Sequence, residues 1–545
     1  MNNKEIARIF NLLGKVMDFH GENPFKIRSY TSAYNTIRRF ADPITNLTRQ
    51  ELLEIQGIGR AIADKIIELK ETGELRTLNK YLDITPPGIV ELLQIKGLGP
   101  KKVRTIHQEL EVETPGELLY ACLENRLVDL KGFGEKTQDA IRQQIAYYLD
   151  GKGKFLFGHI YPDAEDLMEW ISKQELAGEV SFSGEFRRKM PVVEGIEILS
   201  SVDRMVFEKI LIGNSEFTMQ DDSLLFRDIP LLISYVSPDS YHEALFNSSG
   251  SKEFVGYWNK VHSETSDVNE ETRFSHVGLP FIPPESRENP EIINQLQGID
   301  SLDLIENDAI RGVVHAHSTY SDGTGSLEDM AKACIERGFE YLVISDHSKA
   351  AFYANGLTED RVLMQMEEID RLNETMKPFH IFKGIECDIL SDGSLDYSED
   401  ILALFDVVIA SVHTNLRMDK EKATARLLSA IQNPFTKILG HPTGRLLLSR
   451  EGYPIDHEQI IDACAANGVS IEINASPYRL DLDWTWIEYA QQRDVLLSIN
   501  PDAHSIEGID DIRFGVFAAR KGLLDRDHCL NAKSLDSFRL WIDNA

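Results

Sequence analysis

The last 235 residues contain seven apolar runs, each ending in or beside a histidine or a carboxylate, and this recurrence limits what the chain can become. In order they are 312–317 with Asp322 close behind, 341–347, 381–386, 407–413, 438–441, 469–474 and 496–504. A strand puts residues i and i+2 on one face, so an extended run through His315 and His317, or through Asp502 and His504, would bring each pair together. The stretches between, such as Ser326 to Arg337 and His457 to Ala466, carry helical pattern. The whole therefore predicts repeated strand-helix units, which close into barrels whose chemistry sits at the C-terminal strand ends. Six of the seven runs place a candidate ligand there.

Nine groups stand out: His315, His317, Asp322, His347, Glu386, His413, His441, Asp502 and His504. A lone histidine is ordinarily a satisfied core or surface residue; recurrence in unit after unit is what points to metal. Imidazole and carboxylate without thiolate suit manganese, zinc or iron, and nine ligands exceed the needs of one ion. Two or three divalent ions are expected. Such a centre makes hydroxide from water near neutral pH and neutralises phosphoryl oxygens, the chemistry of phosphoester hydrolysis.

The strings HAHSTYSDG (315–323), SDHS (345–348), GIECD (384–388), SVH (411–413), GHPTGR (440–445), EIN (472–474) and DAH (502–504) resemble the polymerase and histidinol phosphatase (PHP) superfamily over 311–545. The resemblance implies a distorted (β/α)7 barrel with a trinuclear centre, in which Glu386 bridges ions at the catalytic site. Arg445, one turn after His441, is either a catalytic phosphate contact or an arginine paired with a neighbour. Cys387 alternates away from Glu386 and is left outside the site.

A second repeat occupies the first 150 residues. Leu53 to Gly59, Leu93 to Lys102 and Leu130 to Lys136 share an apolar frame, a pair of glycines (Gly57 and Gly59, Gly97 and Gly99, Gly132 and Gly134) and a following helical stretch. Paired glycines let backbone amides approach an anion at a helix start, where the dipole favours negative charge; Pro100 suits a first helical turn. The three copies resemble helix-hairpin-helix motifs, which grip DNA phosphates without reading sequence, with Lys101 and Lys102 beside them. NPFKIRSY (23–30) and the span to about 150 resemble the DNA-binding end of the DNA polymerase X family. That likeness puts Lys65 where some members hold a Schiff-base lysine for abasic sugars, although nothing in the sequence lowers its pKa and an ordinary phosphate-binding or surface lysine is the better reading.

Between 151 and 278 the polymerase X pattern fails. GEFRR (184–188) resembles the family's GS-x-RR turn with Glu185 in place of serine; counting on from it, two of the family's metal-binding aspartates fall on Gly195 and Glu197, and aligning the strand 229–235 with its continuation SPDSY puts the third on Leu232. The nucleotide-selecting segment has become NSSGS (247–251). Two-metal nucleotidyl transfer needs carboxylates around both ions, so the α+β palm and thumb are expected to be degenerate and polymerase activity lost.

The expected organisation is multidomain: an α-helical polymerase X amino-terminal region with the first hairpin (1–85), a fingers-like helical region with two more (86–150), the degenerate palm and thumb (151–278), a proline-bearing linker (279–310) and the PHP barrel (311–545). The formal charge of −31 lies wholly in 151–545, because residues 1–150 carry 21 basic and 21 acidic side chains. Basic residues near the hairpins, Lys96, Lys101, Lys102 and Arg104, predict modest, salt-sensitive DNA affinity. Five scattered cysteines, no secretory h-region in MNNKEIARIF and no membrane-length apolar run predict a soluble cytoplasmic protein; oligomeric state is not encoded in any visible pattern. The function expected is metal-dependent hydrolysis at DNA 3' ends or gaps in repair, as 3'-5' exonuclease, 3'-phosphatase or abasic-site activity. The alternatives are a working gap-filling polymerase, a histidinol-phosphate-type phosphatase and a non-catalytic DNA-binding scaffold.

Overall fold

Helix capping lays out the amino-terminal unit, Met1–Lys152. Asn23, Thr48 and Thr114 accept backbone amides at the starts of helices Pro24–Arg39, Arg49–Glu54 and Pro115–Leu123, and proline stands in the first turn of Pro87–Leu92 and Pro100–Leu110. Ile6, Phe10, Leu13, Ile37, Leu52 and Ile66 bury the apolar faces of the first helices against one another. The computed structural model describes residues 1–545 except 2, 41–42, 96, 129, 151–152, 221–222, 263–268 and 545. Lys96 therefore lies outside the described residues.

The second unit, Gly153–Ala545, holds the palm-like region, the thumb-like helices and the barrel together. Strands β1 (Phe155–Leu156) and β3 (Val192–Val193) pair antiparallel; β2 (Val180–Phe182), β4 (Ile196–Ser200), β5 (Phe217–Gln220), β6 (Ser223–Phe226) and β7 (Ile229–Tyr235) form a sheet in the order β2-β4-β7-β6-β5, parallel only between β4 and β7. The three positions matched to polymerase aspartates meet here, since Glu197 pairs with Leu232 across β4 and β7. A Cβ on Gly195 would sit 2.4 Å from the Pro230 carbonyl oxygen. Glu197 turns back to accept the Phe186 amide at 2.8 Å, and burial raises its pKa. Leu232 faces solvent at 43 % exposure.

Helices Tyr241–Ser248, Lys252–Val261 and Glu270–His276 share one aromatic core with Leu279, Ile282, Ile292 and Ile293. The first half of the segment expected as a linker is thus part of that core. Arg287, fully buried, donates to the Ile282 carbonyl at 2.7 Å and to Glu270 at 2.5 Å beneath the Phe274 ring. Burying a guanidinium is tolerable because the carboxylate and the carbonyl replace its water.

The barrel is β8 (Gly312–Ala316), β9 (Tyr341–Ile344), β10 (His380–Asp388), β11 (Val407–Ser411), β12 (Thr436–Leu439), β13 (Ser470–Asn474) and β14 (Leu497–Asn500), all parallel and in sequential order. The expected helices form at Leu327–Glu336, capped by Ser326, and His457–Asn467. Val313, Leu342, Ile381 and Val408 pack one face of the strands, while Val314, Val343, Phe382, Ile409 and Ile438 pack the other with Phe538 of the last helix. Closure occurs at the C-terminal ends, where Ala316 bridges Ala503 and the His317 amide donates to the Ala503 carbonyl at 2.9 Å.

The backbone crowding at Gly195 yields a direct expectation. Gly195→Asp should not restore a polymerase carboxylate but should destabilise the second unit by about 1–3 kcal/mol, the usual cost of overpacking, read as a lowered thermal unfolding midpoint.

Candidate metal centre and nucleic-acid interface

The C-terminal strand ends bring all nine candidate ligands into one buried cluster. Eight of them fall into three adjoining groups able to hold a cation: His317, Asp322, His347 and His504; His315, His317 and Asp502; His347, Glu386 and His413. His441 joins by placing Nε2 2.9 Å from Glu386 Oε1. Glu386 sits at the middle, with His315, His317, His347 and His413 at 3.4, 3.7, 2.9 and 3.0 Å from its oxygens.

The convergence of His315 with His317 does not come from strand alternation. The β8–β9 register slips between Val314 and Ala316, leaving His315 as a bulged residue at φ 65°. Asp502 likewise lies beyond the end of β14 at φ 52°. The expected extended runs stop short, and two left-handed residues re-aim the side chains instead. Each such conformation costs on the order of 1–3 kcal/mol and persists only where the surroundings over-determine it.

Those surroundings include groups that sequence reasoning passed over. Glu472, from the one run assigned no ligand, takes His315 Nδ1 at 2.6 Å and is itself held by Asn500 and Asn474. Accepting from Nδ1–H, Glu472 turns His315 Nε2 toward Glu386 and Asp502, where a cation would take it as a ligand. Asp388 does the same for His413 through Nδ1 at 3.2 Å, and the Asp502 carbonyl for His504 at 2.9 Å. Asp346 ties down the turn that carries Asp322, accepting from the Ser318 amide and hydroxyl, the Ser321 hydroxyl and Gln365. The signal was present in the sequence as carboxylates and amides inside otherwise apolar, fully buried strands such as SIEIN.

Arg445 donates to the carbonyls of Arg479 and Leu480 and to Asp483, bracing the 479–483 loop. Arg479, 4 % exposed, reaches within 3.8 Å of Asp502.

The donor set fits divalent cations. His315 Nε2, His317 Nδ1, both nitrogens of His347 and Glu386 Oε2 are buried without a hydrogen bond, although several lie within 4 Å of an opposite partner. Three ligand carboxylates next to six imidazoles would be more than neutralised by two or three dications, leaving a positive centre for an anionic ligand. Without a cation, protons take that role. Burial opposes every charge here, yet Glu472, Asp502 and Glu386 hold the His315 pKa well above the ordinary value, and Asp322 and Glu386 do so for His347. His413 is pushed up to about 9, burial being outweighed by Glu386 and Asp388. Asp322, Glu386 and Asp502 are held well below the usual carboxylate range, the neighbouring imidazoles overcoming burial. His317 moves down, through burial and then the His504 and His347 rings.

The hairpins of the amino-terminal unit form as expected at backbone level. Gly57, Gly97 and Gly132 take φ of 95°, 90° and 91°, which only glycine adopts freely. Gly59 and Gly99 cap helices Arg60–Thr72 and Pro100–Leu110, and Gly134 accepts the first amides of Glu135–Asp150. A Cβ on Gly59, Gly99 or Gly134 would meet nothing within 4 Å, so these helix starts are open to an anion. Lys101 is exposed and Lys102 partly so, whereas Arg104 is spent on the Phe19 carbonyl and Asp18. Lys65 donates to Thr77 at 2.6 Å. No helix among the described residues is long and apolar enough to cross a membrane.

Comparison with known proteins follows the same division. The helix-hairpin-helix domain matches residues 1–75, the SAM-like helix-hairpin-helix tandem 89–146 and the PHP domain 314–476. The DNA polymerase/3'-5' exonuclease PolX of Bacillus subtilis is 33 % identical over 99 % of this chain and 99 % of its own. Probable phosphatases of Caldanaerobacter subterraneus and Shewanella oneidensis are 30 % and 29 % identical, each over 30 % of this chain and 62 % and 63 % of their own.

Cation binding should expel protons. His413 is protonated below about pH 9 in the ion-free protein and must be neutral to coordinate. Apparent metal affinity should therefore rise with pH between 6 and 9, by about tenfold per unit for each proton displaced, and calorimetry in buffers of different ionisation enthalpy should record proton release.

Proposed function

Because the chain belongs to the bacterial DNA polymerase X family, in the branch fused to a PHP domain, we propose that it is a metal-dependent phosphoesterase that hydrolyses DNA 3' ends in repair and no longer polymerises. The observation that carries this is the convergence of eight buried or half-buried candidate ligands in three adjoining groups around Glu386. The relative from Bacillus subtilis is named for 3'-5' exonuclease activity and the shorter relatives as probable phosphatases, which supports terminal phosphodiester or phosphomonoester hydrolysis at this site.

His315, His317, Asp322, His347, Glu386, His413, His441, Asp502 and His504 would hold two or three divalent ions, manganese first, with zinc or iron as the other fits for an imidazole and carboxylate set. Bound there, the ions supply Lewis-acid neutralisation of the phosphoryl oxygens and acidify a water. The chain's own groups do the rest. Glu472, Asp388 and the Asp502 carbonyl fix the imidazole tautomers, Asp346 fixes the turn bearing Asp322, and closure of the barrel buries the cluster from bulk water. Attack of water on the terminal phosphorus with release of the strand's 3' oxygen yields a shortened or dephosphorylated end with its 3'-hydroxyl.

The hairpins would hold the substrate by phosphate contacts at Gly57, Gly59, Gly97, Gly99, Gly132 and Gly134, with Lys101 and Lys102 adding charge. The acidic remainder of the chain disfavours long duplex near the barrel and leaves a strand end as the substrate. Polymerase chemistry is not part of the proposal, because Gly195 has no room for a side chain, Glu197 is occupied and Leu232 has no carboxylate. Lys65, hydrogen-bonded to Thr77, is treated as structural. The five cysteines are buried thiols, which suits the reducing cytoplasm where such a repair enzyme would work.

A time course on 3'-recessed and 3'-phosphorylated DNA with manganese tests the reading. His317→Ala should lose more than roughly 100-fold of the hydrolytic rate, since even outer partners of metal ligands cost 10–100-fold; an unchanged rate would remove that histidine from the centre. Lys101→Glu with Lys102→Glu should weaken DNA binding and reduce its salt slope by about 2, near one per lost phosphate contact. Magnesium-dependent templated extension of a gapped duplex should be undetectable.

A further inference from the structure

We infer that Phe352 is a stacking platform for the terminal bases of the DNA strand whose 3' end enters the metal centre; the inference rests on the phosphoesterase reading above and adds how a base-bearing end is selected. Phe352 is 70 % exposed, an unusual setting for a phenylalanine on an otherwise ordered barrel. It stands in a short turn, Phe352–Ala354, of the loop that follows β9. That loop leaves the barrel at His347, a candidate ligand, and returns to it, because the Leu357 amide donates to the His347 carbonyl at 2.8 Å. Five residues from His347, its Cα can lie no farther than roughly 18 Å from that of the ligand, at the same end of the barrel.

The loop is rigid. The Ser348 amide donates to the Glu386 carbonyl at 3.0 Å and the Ala350 amide to Asp396 at 2.6 Å. Asn355, at φ 54°, uses its side chain to hold the carbonyls of Tyr320 and Ser321, just before Asp322, and Arg361 donates back to the Asn355 carbonyl at 2.8 Å. The ring itself is steadied edge-to-face by Tyr353, with centroids 5.7 Å apart at 76°. Its 70 % exposure leaves most of the ring open to solvent.

An aromatic face held still beside a phosphoryl-transfer centre offers what a sequence-indifferent enzyme needs, since every base presents a π-face and stacking asks for no hydrogen-bond code. Preorganisation removes the ordering cost that a mobile ring would bring. Phe352 would thus set affinity for the end and its register over the ions, without touching the reacting atoms.

The test uses the full chain with manganese and two substrates that differ only in whether the last three nucleotides carry bases or tetrahydrofuran abasic residues. Phe352→Ala should raise KM for the base-bearing end about tenfold while kcat stays within about twofold, and Phe352→Trp should restore KM. For the abasic end, KM should already be raised in the parent and the Ala:parent ratio should fall to about one. An unchanged KM for the base-bearing end, or an equal loss on both substrates, would overturn the assignment. Failure of the parent to hydrolyse either substrate would instead overturn the DNA-end reading, and this inference with it.

Discussion

The carboxylate of Glu386, with imidazoles closing on it from the ends of separate strands, is the contact around which the carboxyl-terminal domain is organised. A buried anion is costly unless its neighbours supply compensating charge or hydrogen bonds. Here they do so from residues far apart in sequence, and a parallel barrel is the arrangement that delivers successive strand ends to one point. The fold is therefore a device for concentrating ligands, and the helices outside it serve to bury the strands that carry them.

The same centre shows how far residue pattern can be trusted. The nine candidate ligands were visible because they recur at the ends of successive apolar runs, a regularity that accidental histidines lack. The mechanism of their convergence was not visible. Alternation along β8 predicts a shared face for His315 and His317, and the chain achieves the result through a bulge at His315 that no pattern of side chains announces. Glu472, Asp388 and Asp346 escaped for a different reason: their role is to hold other side chains, and a supporting carboxylate has no spacing of its own. Arg445 and Arg479 are separated by 34 positions and meet only through the loop that one braces and the other occupies.

The remainder of the chain divides along the same line between local and distant causes. The hairpins were legible because their turns take φ of 90–95°, beyond the 52–65° that His315 and Asp502 adopt, so glycine recurs at Gly57, Gly97 and Gly132 in each copy. The degenerate palm was legible as missing carboxylates, whereas the reason they cannot simply be replaced lies in the Pro230 carbonyl beneath Gly195, which only coordinates reveal. The segment from 279 onward looks like a connector by its prolines, and its buried Ile282 and Arg287 place half of it in the thumb-like core.

The GEFRR turn has changed employment. Arg188 pairs with Glu288 at 2.9 Å, its carbonyl accepts the ammonium of Lys521 at 3.0 Å, and Lys521 meets Glu288 at 2.7 Å while Arg520 meets Glu285 at 2.7 Å. Both Lys521 and Arg520 belong to helix Ile512–Lys521 of the barrel. A shortened descendant lacking residues 151–296 would take Glu285 and Glu288 away from these cations, leaving Arg520 with Glu306, and lay bare the Phe514 and Phe517 side chains that now meet Phe157 and Tyr161. The vestige is thus retained as scaffolding, and its disappearance from a lineage would require compensating substitutions on the hydrolase itself.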